Sequence, residues 1–274
     1  MSQHKNKNVK PYIGDGVDIV MPTHGEIDFL RESLPALEVA AASVHATFYI
    51  GDTRTPNQEL RESVQALVLE HNQFLYPVAE GYLGGCNALA RKGTGKYILI
   101  TTPDVTLEPS AIAIMKQTLD AYEDVGIVCP LLVFANNTRH GPAGKVQHAG
   151  MESNIGGEMI HIFLGWNANN PKVQAERRCL ACTGACFMIR RQDWTRVKGF
   201  DPMYGLGTYE DMDLCMAIHS IGKNIYYQPQ AVGHHYVGAS ALYSQTGYEF
   251  PLQRNRILFA QKWQKTPWTD WNVW

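Results

Sequence analysis

The sequence has 274 residues, of which 45% are hydrophobic and 18% are charged, and its formal net charge is −2. This length and composition are typical of a globular protein with a large core, folded as one domain or two, and they exclude extensive disorder. The near-neutral charge and the absence of a basic stripe argue against a nucleic-acid partner. No apolar run approaches the roughly 20 residues of a membrane span, and the polar start resembles no signal peptide. We therefore expect a soluble, cytoplasmic protein.

Predicted strands alternate with predicted helices over the first half of the chain. The strands are expected at 17–21, 47–50, 74–76, 97–100 and 126–129, and the helices at 27–42, 58–69, 81–92 and 111–121. This alternation predicts an α/β fold with a mostly parallel sheet and helices on both faces. Ligands bind such sheets at the carboxyl ends of the strands, where the sequence places Thr23, Asp52 and Asp104.

The pattern changes after Pro130. Residues 131–180 are rich in Asn, Gly and His and contain no long periodic helix, although a short β segment is expected within 157–163. A strand at 185–189 and a helix at 191–198 restore regular structure. Irregular stretches longer than about 15 residues are usually functional or disordered. We therefore interpret this region as the wall of a second binding site.

The six cysteines do not form a complete metal-binding pattern. Cys179, Cys182 and Cys186 have the spacing of a partial metal or iron–sulfur site, but no second pair with zinc spacing follows. Free cysteine is commonly buried as a small hydrophobic residue. We predict structural, reduced thiols, as in a cytosolic protein.

An acidic stretch precedes a helix-patterned apolar run late in the chain. It contains Glu210, Asp211 and Asp213 and follows the glycine-rich residues 205–207. Acids in a first helical turn are explained by the helix dipole alone. Asp104 also has two interpretations. It is either a turn residue after its strand or a carboxylate that holds a divalent cation together with a substrate diphosphate. These alternatives stay open on the residues alone.

A family resemblance connects these features. It is carried by "VDIVMPTHGE", "YIGDTRT", "GYLGGCNALARKGTGKYILITTPDV", the long block from "TGACFMIRRQDW" to "GHHYVGAS", and "RNRILFAQKW". Over most of residues 15–264 the chain resembles a family-two glycosyltransferase of the GT-A fold, in its rhamnosyltransferase-like, non-processive branch. The resemblance implies a single Rossmann-like sheet with a smaller acceptor-side subregion. It divides the chain into a flexible N-terminus (1–14), a nucleotide-sugar-binding half (15–130), an acceptor-binding and catalytic half (131–246), and a C-terminal helix with a Trp-rich tail (247–274).

The resemblance also implies a site for the nucleoside-diphosphate sugar donor. Asp52 matches the residue that contacts a pyrimidine base, which suggests a UDP or dTDP donor, and Asp104 with His235 matches the ligands of Mn²⁺ or Mg²⁺. Thr102 stands where the family often has Asp or Asn, so Asp104 is the only carboxylate of its motif. The implied donor-site residues are Pro22, Thr23, Glu26, Asp52, Gly81, Gly85, Asn87, Thr102, Pro103 and Asp104.

The implied reaction is an inverting sugar transfer to an acceptor hydroxyl, and the expected acceptor is a glycan. Asp211 matches the catalytic base, and Glu210 beside it would raise its pKa or orient it. Asp213 is expected to cap or anchor the helix. For the acceptor or sugar pocket we predict His148, Trp166 and Tyr209, with Tyr204 as a further aromatic candidate.

The residues leave two alternative functions open, and the C-terminal tryptophans suggest a further contact. A nucleotidyltransferase would begin with a glycine- and arginine-rich phosphate loop, which the sequence lacks after its first strand. A catalytically silent nucleotide- or carbohydrate-binding protein on the same fold is the other alternative. Trp263 is expected in the core, whereas Trp268, Trp271 and Trp274 pack on their own domain or contact a second subunit, a partner or a membrane surface.

Overall fold

The structure, a computed structural model, describes residues 14–78, 81–135, 141–153, 158–237 and 252–263. A 3₁₀ helix at Pro202–Tyr204 precedes the acidic stretch. The other elements are, in chain order, β1 (Gly14–Thr23), α1 (Ile27–Ala41), β2 (Ala46–Asp52), α2 (Gln58–Glu70), β3 (Leu75–Pro77), α3 (Tyr82–Ala90), β4 (Gly95–Thr101), β5 (Val105–Leu107), α4 (Ala111–Ala121), β6 (Val125–Phe134), β7 (Val146–His148), β8 (Met151–Ser153), β9 (Met159–His161), β10 (Arg177–Cys179), β11 (Cys186–Arg190), α5 (Arg191–Val197), α6 (Glu210–Ser220), β12 (Asn224–His235) and α7 (Leu252–Trp263).

A ten-stranded sheet organises the molecule in the order β10-β12-β6-β11-β4-β1-β2-β3, with β5 paired to β12 and β7 to β6. The strands β1, β2, β3, β4, β6 and β12 run in one direction, and β11 lies antiparallel between β4 and β6. The predicted α/β fold with a mostly parallel sheet is confirmed. β8 and β9 form a separate two-stranded sheet.

Apolar side chains cover both faces of the central strands, as in parallel sheets that are packed between helices. On β1, Ile19 and Met21 join the core that includes the buried face of α1, whereas Val20 joins the core on the opposite face. Leu30, Leu34 and Leu37 follow helical spacing on α1 and are fully buried. The six cysteines are free and buried, which agrees with their prediction as structural thiols.

The strand at the centre of the second half is longer than predicted. β6 continues through Pro130 to Phe134, and it pairs with β12 with a register shift between Gln228 and Val232. The predicted division at residue 130 therefore falls inside a strand. The irregular segment contributes only short strands, including β9 within the predicted 157–163 segment. Within the described residues, no helix combines the length and the apolar character needed to cross a membrane.

Candidate active site

A pocket of about 200 Å³ opens where β4, β11 and β12 end beside the acidic stretch. It brings together five of the predicted site residues, Thr102, Asp104, Glu210, Asp211 and His235, from widely separated parts of the sequence. The other lining residues are Tyr82, Thr183, Gly184, Ala185, Leu206, Gly207 and Thr208.

Asp104 and His235 form one wall of this pocket. Register pairing sets His235 opposite Val105 of β5, which brings its ring beside the Asp104 carboxylate. His235 Nε2 lies 3.5 Å from Asp104 Oδ2, and both side chains are buried. Burial acts to raise the pKa of Asp104, but contacts with His235 and the Thr102 hydroxyl outweigh it, so the net pKa is lowered. The carboxylate is therefore ionised at neutral pH.

Second contacts orient these two side chains. The Thr102 hydroxyl donates to Asp104 Oδ1 at 2.5 Å, which leaves Oδ2 directed to His235. On the far side of the imidazole, Nδ1 lies 3.1 Å from Gln147 Oε1. An amide oxygen there favours a hydrogen on Nδ1, which is the outer contact that orients a metal-binding histidine and leaves Nε2 facing Asp104 Oδ2. His234 instead faces outward to Glu108, at 2.9 Å.

These contacts fit a divalent cation that is shared with a ligand. Asp104 Oδ2 and His235 Nε2 lie 3.5 Å apart, and both residues line the pocket. No group of three or more His, Cys, Asp or Glu side chains within the described ranges can hold a metal by itself. A cation at this pair would need further oxygen ligands, which Mg²⁺ and similar ions usually take from water and substrate phosphates.

Asp211 and Glu210 form the opposite wall, at the start of α6. The Gly184 N–H donates to Asp211 Oδ2 at 2.8 Å, and the Met212 N–H donates to Oδ1 at 2.8 Å. The Tyr82 hydroxyl donates to the Gly184 carbonyl at 2.5 Å, so the loop before β11 is fixed from both sides. Glu210 is buried, and its Oε2 has no hydrogen-bond partner among the described residues.

The two adjacent carboxyls differ in their hydrogen bonds and therefore in their pKa values. Burial raises the pKa of Asp211, although the two backbone N–H groups oppose that rise. Burial, and then the neighbouring Asp211 charge, raises the pKa of Glu210 to about 8. Because hydrogen bonds favour the ionised form of Asp211, the proton of this pair resides on Glu210 at neutral pH.

Predicted donor-site residues around Asp52 lie outside the lining of this pocket. Thr23 and Asp52 are register neighbours at the ends of β1 and β2. The Thr23 hydroxyl donates to Glu26 Oε2 at 2.7 Å. Asp52 Oδ1 accepts from the Thr55 N–H at 2.8 Å, and Arg61 pairs with Oδ2 at 2.5 Å. These contacts hold the Thr23 and Asp52 side chains in fixed orientations. Their contact with a nucleotide base stays a prediction.

The glycine-rich start of α3 is held by close packing and by hydrogen bonds. A Cβ atom on Gly85 would lie 2.9 Å from the Pro22 Cβ, so this glycine allows α3 to pack closely on β1. Both amide atoms of Asn87 bond the backbone of Phe200, at 2.8 and 3.0 Å. Gly81 has a φ of 82° and precedes Tyr82. The predicted contact of these residues with ribose or diphosphate is untested, as is that of Pro103, which is buried.

The predicted acceptor residues do not line the described pocket. His148 is fully buried and its Nδ1 lies 3.0 Å from His161 Nδ1. Trp166 is exposed beside Phe163, and the half-buried Tyr209 packs on Phe259. Their role in acceptor binding stays a prediction.

Tyr204 requires a correction. It is fully buried and donates to Asp213 Oδ1 at 2.9 Å, so it is not available for stacking on a sugar. Asp213 also accepts from Trp263 Nε1 at 2.8 Å, which agrees with the anchoring role predicted for the acid and the core position predicted for the tryptophan. Trp268, Trp271 and Trp274 lie outside the described residues.

Sequence reasoning missed three residues that orient the predicted ones. Gln147 contacts His235, Tyr82 fixes Gly184, and Gly184 binds Asp211. Tyr82 and Gly184 lie within quoted motifs and Gln147 precedes His148. Their roles depend on contacts over more than 25 residues, which no local pattern reveals.

Comparison with known proteins identifies the family. The model for "Glycosyltransferase like family 2" matches residues 57–261. The chain belongs to this family. A curated relative is an uncharacterized protein, y4gI, of Sinorhizobium fredii, which is 25% identical over 187 residues, or 66% of this chain and 19% of the relative. The chain thus spans about a fifth of that relative's length.

Two solved structures share the fold of this family-2 glycosyltransferase chain. GalNAc-T7 with UDP, GalNAc and Mn²⁺ superposes with a TM-score of 0.66 at 13% identity, over 96% of this chain and 50% of that one. The mannosyltransferase PcManGT from Pyrobaculum calidifontis, in complex with GDP-Man and Mn²⁺, gives a TM-score of 0.57 at 18% identity, over 88% of this chain and 61% of that one. These glycosyltransferase neighbours confirm the GT-A fold that the sequence resemblance implies.

Proposed function

We propose that this chain is an inverting glycosyltransferase that moves a sugar from a nucleoside-diphosphate sugar to an acceptor hydroxyl, with a glycan as the acceptor. The observation that carries the proposal is the pairing of two walls in one pocket. Asp104 and His235 offer cation ligands on one side, and Asp211 offers a hydrogen-bonded carboxylate on the other. This arrangement suits a donor diphosphate on the first wall and an acceptor hydroxyl at the second.

The donor would bind through its diphosphate at Asp104 and His235. A bound Mn²⁺ or Mg²⁺ would neutralise charge on the leaving nucleoside diphosphate, as a Lewis acid. Both fold neighbours are complexes with Mn²⁺ and a nucleotide or nucleotide sugar, which supports a divalent cation here. Thr102, which stands in place of a second polar ligand of this motif, contributes by fixing one Asp104 oxygen through its hydroxyl.

Asp211 would act as the base. It would accept the proton of the acceptor hydroxyl as that oxygen attacks the anomeric carbon, and the bond to the diphosphate oxygen breaks. Its raised pKa makes it a stronger base than an exposed aspartate, and the Gly184 N–H holds it in the ionised form. Glu210, carrying the proton of the pair, leaves only one negative charge beside the acceptor.

The nucleotide is proposed to be UDP or dTDP. Asp52 and Thr23 lie side by side at the strand ends next to β4, where a base would bind in a sheet of this type. The Thr55 hydroxyl and the Arg61 guanidinium hold the Asp52 carboxylate in one orientation. Its remaining lone pairs would accept a hydrogen bond from a donor in the plane of a bound base. A pyrimidine ring N–H is a donor of that kind.

A donor panel tests the proposal. The protein is incubated with UDP-, dTDP- and GDP-sugars and Mn²⁺, with and without EDTA, and nucleoside diphosphate release is measured. We expect release from at least one donor and its loss in EDTA. Silence across the panel with tight nucleotide binding intact would favour the catalytically silent binding protein. Release of pyrophosphate from a sugar phosphate and a nucleoside triphosphate would identify a nucleotidyltransferase.

A further inference from the structure

A buried amide joins the last described helix to the turn that carries Asp211. Asn255 of α7 is fully buried. Its Nδ2 lies 2.9 Å from the Tyr204 carbonyl oxygen, 2.8 Å from that of Gly207 and 3.0 Å from that of Thr208. The two hydrogens of this amide thus serve three inward-facing carbonyls. Gly207 and Thr208 also line the pocket, so Asn255 lies directly behind the wall that carries Glu210 and Asp211.

The backbone of this turn needs such a partner. Residues 205–211, called here the acidic turn, contain four positive φ angles: 69° at Gly205, 152° at Gly207, 75° at Thr208 and 68° at Tyr209. Left-handed conformations are uncommon for residues other than glycine and persist when the surroundings determine them. The carbonyls that this path turns inward bond to the Asn255 side chain, because an unpaired buried carbonyl is costly.

A second set of contacts attaches the other end of α7 to α6. Asp213, one turn below the acidic wall, accepts from Lys262 Nζ at 2.9 Å and from Trp263 Nε1 at 2.8 Å. The ring of Phe259, between these ends, lies 5.5 Å from the Tyr209 ring. α7 therefore contacts the segment on both sides of Asp211, and its Asn255 reaches the pocket-lining residues Gly207 and Thr208 through their backbone carbonyls.

We propose that Asn255 is a positioning residue for the base: its amide fixes the path of the acidic turn, and that path keeps the Asp211 carboxylate at the Gly184 N–H. The inference rests on the proposed function, in which Asp211 is the base. Asn255 acts through Asp211 and touches no substrate. Loss of its donors would leave the fold of the sheet in place while the carboxylate moves away from Gly184.

Asn255→Asp tests this role because it keeps the size of the side chain and removes the donors. Its matched control is Gln261→Glu, the same amide-to-acid change at an exposed position of α7. We expect kcat to fall about 100-fold in Asn255→Asp, the size of effect that a small misplacement of a catalytic group produces. The Kd for UDP with Mn²⁺ should change less than about twofold, since that binding uses the other wall. Gln261→Glu should match the wild type in both.

The acid limb of the kcat–pH profile separates positioning from simple destabilisation. The Gly184 N–H lowers the pKa of Asp211, so its loss should move the acid limb to higher pH. The other titratable groups that bear on Asp211 are Glu210, His148, Tyr82 and Tyr209, and the variant substitutes none of them. If the substitution only destabilised the fold, it would lower the fraction of active enzyme and leave the acid limb of the kcat–pH profile at the same pH.

Hydrogen exchange at the Gly184 amide reports the same contact without turnover. Faster exchange in Asn255→Asp, but not in Gln261→Glu, would support the inference even if the donor panel showed that the proposed reaction is wrong. An unchanged acid limb together with unchanged exchange would overturn it. If Asn255→Asp does not fold, Asn255→Ser retains one donor and should show a smaller loss of kcat in the same direction. Wild-type kcat and exchange in that variant would overturn the inference equally.

Discussion

The two walls of the pocket are built in different ways. Thr102 and Asp104 directly follow β4, and His235 ends β12, so the hydrogen-bonded sheet fixes their backbones. Asp211 follows a turn with four positive φ angles, and side chains and backbone groups from other elements hold it. The wall of Asp104 and His235, proposed to hold the cation and called here the cation wall, thus takes its position from regular secondary structure. The wall of Glu210 and Asp211, proposed to carry the base and called here the base wall, depends on individual hydrogen bonds. The base wall should therefore be the more sensitive to single substitutions that lie outside the pocket.

The largest expected effect comes from removing the base. Asp211→Asn preserves the size and shape of the side chain but cannot accept a proton, so kcat should fall roughly 10²- to 10⁴-fold. Nucleotide affinity should be nearly unchanged, because the base acts in the transition state. Steady-state turnover and calorimetric binding of the nucleotide check both halves of this prediction. Near-normal turnover would show that another group takes the proton.

A substitution on the cation wall should act on binding and turnover together. Asp104→Ala should weaken nucleoside diphosphate binding about 10- to 100-fold and remove its response to Mn²⁺, since one of two protein ligands is lost. The control is Asp28→Ala, which removes an exposed carboxylate on α1. Titration of Mn²⁺ against nucleotide affinity measures the effect. If the wild type works equally well in EDTA, neither Asp104 nor His235 has a metal role.

The smallest effect concerns the pH dependence of stability. The pKa of Glu210 rises from 4.5 to about 8 on folding, so between these values the folded state keeps a proton that the unfolded state releases. Stability from this group therefore falls as pH rises through that window. Glu210→Gln has no such proton to lose, and its melting temperature should decline less than that of the wild type between about pH 5 and pH 9. Parallel declines in the two proteins would mean that Glu210 ionises normally.

The sequence predicted the cation wall better than the base wall. Alternating strands and helices located β4 and placed Asp104 at a strand end, and the family resemblance selected His235 over its neighbour. The acidic stretch was recognised too, but not the contacts that hold it. These contacts join three distant segments: the Gly184 N–H donates to Asp211, the Tyr82 hydroxyl donates to the Gly184 carbonyl, and Asn255 donates to the Thr208 carbonyl. Pairing over such separations has no periodic signature. Tyr204 was misjudged for the same reason, because its burial depends on Asp213 and α7.

The central claim is a single displacement with Asp211 as base, and the configuration of the released sugar tests it most directly. With a donor that turns over slowly in water, proton NMR at early times shows which anomer of the free sugar forms first, before mutarotation mixes the two. For a single displacement, we expect the first anomer to be opposite in configuration to the donor sugar. We also expect Asp211→Asn to release neither anomer at a detectable rate. First appearance of the anomer with the donor's own configuration would contradict it.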